Sequence, residues 1–282
     1  GQTTITAIAV SEDGLVSPVA VLDYTITGVI EEVHFTDPAV EAAIRQQIGV
    51  SSDRLILTNQ LWDITEFTVP KDAKALNDLT YLPNLAQLEI SGLAIEGFDF
   101  LSSLLKLNAL NLSGSTFPVE SLSMIAALPS LSSLTLADCN LSTIDYLENA
   151  GSLTELDLSH NTIRNLDVLK TMPNLKKLQL QHNAVNSLEA LAALDNLEIL
   201  NVSFNAIASL KPLSGCTRLT ELVADNNSLT NLDGLQTLSL LQLLSVDYNS
   251  ISDISALTAN AALKNVSIAS NGVTDISAMK KL

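Results

Sequence analysis

The sequence predicts an α/β solenoid. Short coils stack so that their strands form one parallel sheet along the inner face of an arc, with 3-10 or irregular turns outside and a short helix over the N-terminal end. Three observations lead there. The block LTELDLSHNTIRNLDVL at 153–169 returns as LKKLQLQHNAVNSLEAL at 175–191. Aligned on the leading leucine, units begin at Leu85, Leu107, Leu131, Leu153, Leu175, Leu197, Leu219, Leu241 and Leu263, 22 residues apart except for one step of 24. Each unit places its apolar residues as L-x-x-L-x-L-x-x-N-x-I-x-x-L-x-x-L-x-x-L. One such unit cannot bury its own leucines, whereas stacked units bury them against each other at about 4.8 Å per strand.

Each part of the unit has its own physical reading. L-x-L alternates with period two, the mark of a strand with one buried side. The asparagine that follows turns the chain, and a buried amide at that corner can satisfy backbone groups the turn would orphan. It recurs as Asn161, Asn183, Asn205, Asn227, Asn249 and Asn271, a ladder through six coils. The earlier coils hold Leu93, Ser115 and Cys139 there. The remaining dozen or so residues, apolar every third position, suit short 3-10 turns better than a long helix. Two extra residues near Phe117–Ser121 predict a local bulge on the outer side.

Upstream, Ile64, Phe67, Val69, Leu76, Leu79 and Leu82 form a degenerate coil. Before it, TDPAVEAAIRQQIG reads as a helix. Asp37 caps it, Pro38 opens it, Val40, Ala43, Ile44 and Ile48 line one side, and Gly49 stops it. Residues 29–84 are thus expected to be a cap plus a degenerate first coil, and 85–282 nine repeats. The ninth stops on an apolar consensus position, so further coils are expected beyond it, the alternative being a neighbour that covers the last coil. In residues 1–28, ITAIAV and VAVLDYTI alternate like two strands joined by a turn through SEDG and SP.

The tandem LxxLxLxxNxI pattern resembles the 22-residue class of leucine-rich repeats, with L-P-N-L at 82–85 and M-P-N-L at 172–175 closing coils as that class does. Within the class it is most similar to the internalin-like bacterial surface proteins. The resemblance implies a right-handed arc, a helical N-terminal cap, a secreted or cell-surface location and a role in adhesion. The stretch AIAV…SPVA…YTI resembles the closing hairpin of fibronectin-type or chitobiase-tail β-sandwiches, which implies that residues 1–28 end a sandwich begun elsewhere.

Composition excludes several classes. Fourteen basic against 31 acidic residues give a formal charge of −17, which argues against nucleic acid and anionic lipid. No apolar run approaches the roughly 18 residues a membrane span needs. Cys139 and Cys216 lie three coils apart, roughly 14 Å, too far to bond, and read as buried free thiols. HExxH, a phosphate-binding glycine loop, G-x-S-x-G and CxxC are all missing, so the chain reads as non-catalytic and without a cofactor.

Candidate ligand residues lie in columns across coils, at positions 3, 5, 7 and 8, which are expected to face the hollow. They are Glu155, Asp157, His160, Lys177, Gln179, Gln181, His182, Ile199, Asn201, Phe204, Glu221, Asp225, Leu243, Asp247 and Tyr248. The rings at position 8 read as a contact patch with a charged rim, or as side chains simply packed between coils. Ile199 and Leu243, exposed at position 3 if the register holds, favour contact. His160 and His182 lie about 5 Å apart, but with no third histidine nearby a metal is not expected. Asp225 and Asp247 alone would hold Ca²⁺ only weakly. The Asn-x-Ser matches at Asn111, Asn140, Asn201, Asn226 and Asn265 read as by-products of the strand code. The expected function is recognition of a protein ligand on the concave side. A glycan-binding module and a spacer of a large surface enzyme are the alternatives.

Overall fold

The computed structural model describes residues 2–7, 20–25 and 30–281. Strands β1 (Gln2–Ala7) and β2 (Ala20–Thr25) pair antiparallel, Gln2 opposite Thr25 and Ala7 opposite Ala20. The turn expected through SEDG and SP lies outside the described residues.

Ten three-residue strands form an open parallel sheet in chain order. They are β3 (Glu66–Thr68), β4 (Gln87–Glu89), β5 (Ala109–Asn111), β6 (Ser133–Thr135), β7 (Glu155–Asp157), β8 (Lys177–Gln179), β9 (Ile199–Asn201), β10 (Glu221–Val223), β11 (Leu243–Ser245) and β12 (Asn265–Ser267). Register is strict, so Leu156, Leu178, Leu200, Leu222 and Leu244 each pair with the next along successive strands. The central residue of each rung from β3 to β11 is buried and its two neighbours face outward, as the period-two pattern predicts.

The outer side returns each coil through 3-10 turns such as Asp99–Ser103, Asp167–Thr171, Lys211–Gly215 and Ser255–Ala259. The coil with two extra residues absorbs them by running a 3-10 turn at Val119–Ser121 into a short helix α2 (Leu122–Ala126) that buries Leu122 and Ile125. The expected bulge is therefore an added turn of helix.

Helix α1 (Pro38–Ile48) closes the N-terminal end. Asp37 caps it by accepting from the N–H groups of Ala39 and Val40, and Gly49 ends it at φ 67°, a left-handed conformation that suits glycine. Val40 and Ile44 join one apolar core that runs from Val33 to Ala278. Gln47 Nε2 donates to the Glu66 carbonyl at 2.9 Å, so the helix also occupies a polar group on the outermost strand. Cys139 and Cys216 are both buried and unpaired.

Candidate functional site

The corner after each strand positions the candidate residues, and the asparagine ladder holds that corner. Asn183 Oδ1 accepts from the Ile163 N–H of the preceding coil at 2.9 Å, while its Nδ2 donates to Leu158 O in that coil and Leu180 O in its own. Asn161, Asn205, Asn227, Asn249 and Asn271 repeat this arrangement. Only Asn161 is fully buried; the other five are half-buried, because the corner lies at the rim of the sheet rather than within it. Ser115 and Cys139 carry part of the role, donating to the carbonyls of Ile90 and Leu112.

Immediately before the ladder, position 8 is left-handed in every coil from Gly92 to Ser270. Gly92 and Gly114 take φ 71° and 69° there, and Asp138, His160, His182, Phe204, Asn226, Tyr248 and Ser270 take φ 53–57°. Coil-to-coil hydrogen bonds fix the conformation: Phe204 N–H donates to Asp225 O at 2.9 Å and Tyr248 N–H to Ala269 O at 2.9 Å. A non-glycine residue costs about 1 kcal/mol in this region, so bulky rings here are paid for in strain.

The rings line up. His160 stacks on His182 with centroids 4.3 Å apart, and His182 on Phe204 at 4.1 Å and 10° between planes. Phe204 nevertheless stays 46 % exposed and Tyr248 61 %. The rings thus pack on one another, while Phe204 and Tyr248 also face solvent. Imidazoles stacked in parallel direct their in-plane lone pairs alongside each other, a poor geometry for gripping one ion.

Glu155, Asp157, Lys177, Gln179 and Gln181 come together around one shallow hollow of about 230 Å³ on the sheet. Glu155, Lys177 and Glu221 are exposed, whereas Gln179 and Asn201 are half-buried. Ile199 and Leu243 are half-buried, not exposed: each lies in register between flanking side chains, the longer Lys177 and Glu221 around Ile199, and Glu221 and Asn265 around Leu243.

Position 7 does not face freely into the hollow. Ser159 and Ser203 are buried there, and the Gln181 Oε1 is buried without a hydrogen-bond partner. The chain is already turning at this residue, and in six coils its N–H is satisfied by a side chain. Asn111, Asp157 and Asn201 accept it from within their own coils. In later coils Asp225 Oδ1 accepts from Asp247 N–H and from the Ser245 hydroxyl, both at 2.7 Å, and Asp247 accepts from Ala269 N–H and Ser267. Four candidate ligand residues thus also hold the corner. For Asn111 and Asn201 this is the strand code that produces the Asn-x-Ser match. Sequence reasoning left Asn226 out of the site, although it occupies the ring column; the glycines at positions 92 and 114 are the signal that this column is conformationally special.

Charge on the concave side is one-sided. Glu66, Glu89, Glu155, Asp157, Glu221, Asp225 and Asp247 stand on or just after the strands, against Lys177.

Comparison with known proteins agrees with this architecture. A model of leucine-rich repeats matches in two copies, over residues 151–194 and 195–237. Similar solved structures include an internalin, InlF, of Listeria monocytogenes, 27% identical with a TM-score of 0.72 over 88% of this chain and 80% of that one. Internalin C2 of the same organism is 24% identical, TM-score 0.65, over 83% of this chain and 94% of its own. A plant peptide hormone receptor, RGFR1, in complex with RGF2 shares the fold at 18% identity and TM-score 0.55, over 73% of this chain and 38% of the receptor. No curated protein sequence matches the chain significantly. The chain contains leucine-rich repeats and folds as a leucine-rich-repeat solenoid similar to internalins.

Proposed function

We propose that this solenoid is a non-catalytic recognition module of a secreted or cell-surface protein, binding a protein ligand on its concave side at the rim formed by the ring column. One observation carries the reading. Four rings, His160, His182, Phe204 and Tyr248, occupy a strained left-handed position that Gly92 and Gly114 fill without strain, and Phe204 and Tyr248 remain largely open to solvent. Stability does not call for rings there, and strain retained at an exposed position points to function. A rigid sheet presents such groups already ordered, so little entropy is lost on binding. Similarity to internalins, and to a receptor solved with a peptide hormone, supports a protein ligand and an extracellular setting. Among the described residues no helix is long and apolar enough to cross a membrane.

The test is a screen of purified extracellular proteins against the wild-type chain and the Tyr248→Gly and Phe204→Gly variants. The reading expects a protein ligand whose affinity falls at least tenfold in both variants while the fold is kept. A ligand bound equally well by both would place recognition elsewhere on the molecule. Binding only to glycans, lost in Tyr248→Gly, would favour a sugar ligand instead.

A further inference from the structure

The ring column is interrupted once. His160, His182 and Phe204 stack at spacings of 4.1–4.3 Å, one ring per coil. The next level holds Asn226, and the one after it Tyr248. Two coils separate Phe204 from Tyr248, so their backbone positions stand roughly 10 Å apart at about 4.8 Å per strand. That gap admits one flat group at the ladder's own spacing. The ring faces within the trio are covered by each other, but the far side of Phe204 and the near side of Tyr248 both border the Asn226 level. The Asn226 side chain makes no hydrogen bond among the described residues and is half-buried, so its amide remains accessible.

The surroundings select the charge of that group. Asp225 directly precedes Asn226 and Asp247 directly precedes Tyr248; Glu221 stands exposed on the same coil as Asn226. Asp225 commits Oδ1 to Ser245 and to the Asp247 N–H, while Oδ2 has no hydrogen bond among the described residues. No Lys or Arg lies between residues 219 and 263, the two coils that carry the slot's floor and one wall.

We infer that the slot between Phe204 and Tyr248, floored by Asn226, takes an arginine side chain of the protein ligand. A guanidinium is planar and cationic. It stacks on aromatic faces and pairs with carboxylates through its edge, whereas a lysine ammonium offers no flat surface to complete the ring column. A sugar ring could also stack there and donate hydroxyls to the carboxylates, but it carries no positive charge to meet them. This inference rests on the recognition reading above and names the partner's anchoring group.

The probe is the blocked tripeptide acetyl-Gly-Arg-Gly-amide, titrated into the full chain by NMR and compared with its citrulline and lysine counterparts. Saturable shifts of the Tyr248 ring and Asn226 side-chain amide are expected with arginine, at least fivefold weaker with either counterpart. Asn226→Phe fills the interrupted level with a residue that Phe204 shows the corner accepts, and Tyr248→Ala removes one wall. Each should weaken the arginine peptide at least tenfold, with unchanged circular dichroism. Equal affinity for citrulline, undiminished binding in Asn226→Phe, or no saturable arginine binding would each overturn the inference, and saturable binding of a neutral glucose oligosaccharide in its place would assign the slot to a sugar. Failure here with the protein ligand still lost in Tyr248→Gly would remove the arginine slot alone; loss of neither would remove the recognition reading.

Discussion

Asn205 shows how much one side chain does in this stack. Its Oδ1 accepts from Val185 N–H, and its Nδ2 donates to Leu180, Val202 and Ser203 carbonyls, so one amide joins two coils and closes its own turn. Asn205→Ala leaves the Val185 N–H without its partner, while the three carbonyls keep donors from Asn183, Asn227 and His182, and should cost about 1–3 kcal/mol in urea unfolding. Asn205→Ser should recover part of that, as Ser115 does in its own coil by donating to Ile90 O and accepting from Leu93 N–H. The two thiols behave as core residues. Burial pushes both Cys139 and Cys216 up to about 11, so at neutral pH they stay protonated and slow to react. A thiol reagent at pH 7 should label neither in the folded protein and both after denaturation; rapid labelling of native protein would mean the coils open locally.

At the scale of elements, the N-terminal cap is tied to the first coil by two buried carboxylates. Asp37 Oδ2 accepts from the N–H groups of Lys74 and Ala75, while Asp78 accepts from Thr36 and Asp37 N–H. Burial alone would raise the Asp37 value, but the N–H groups of Lys74, Val40, Ala75 and Ala39 outweigh it and hold the carboxyl below the ordinary 3.8. A depressed folded value means the stabilisation is complete above about pH 5 and is lost as pH falls through the folded value. Asp37→Ala should therefore lower the unfolding free energy by about 2 kcal/mol at pH 7, and wild type and variant should converge toward pH 2. An undiminished gap at pH 2 would refute the assignment. The helix was legible because its cap, opening proline and terminal glycine are local signals. The corner was less so. Position 7 needs its N–H satisfied, yet the acceptor is Asp157 or Asn201 in some coils and the preceding coil's Asp225 or Asp247 in others. One structural demand met from two places leaves no single column in the sequence.

Across the whole molecule, the 22-residue period was enough to give a ten-strand sheet, because a stack of equivalent coils has only one way to bury the same leucines in register. The left-handed ring column was hidden. His, Phe and Tyr do not advertise a positive φ, and only Gly92, Gly114 and Asn226 hinted at it. The half-burial of Ile199 and Leu243 was hidden for a related reason, since it depends on the side chains that flank them one coil away. What results is a rigid, acidic concave surface with one rim of rings that the fold itself does not require. Equilibrium unfolding of the Phe204→Gly/Tyr248→Gly variant tests that claim most directly. Release of left-handed strain should offset the lost His182–Phe204 stacking, leaving stability within about 1 kcal/mol of wild type; a loss of more than about 3 kcal/mol would show that the rings hold the solenoid together and are not a surface kept for binding.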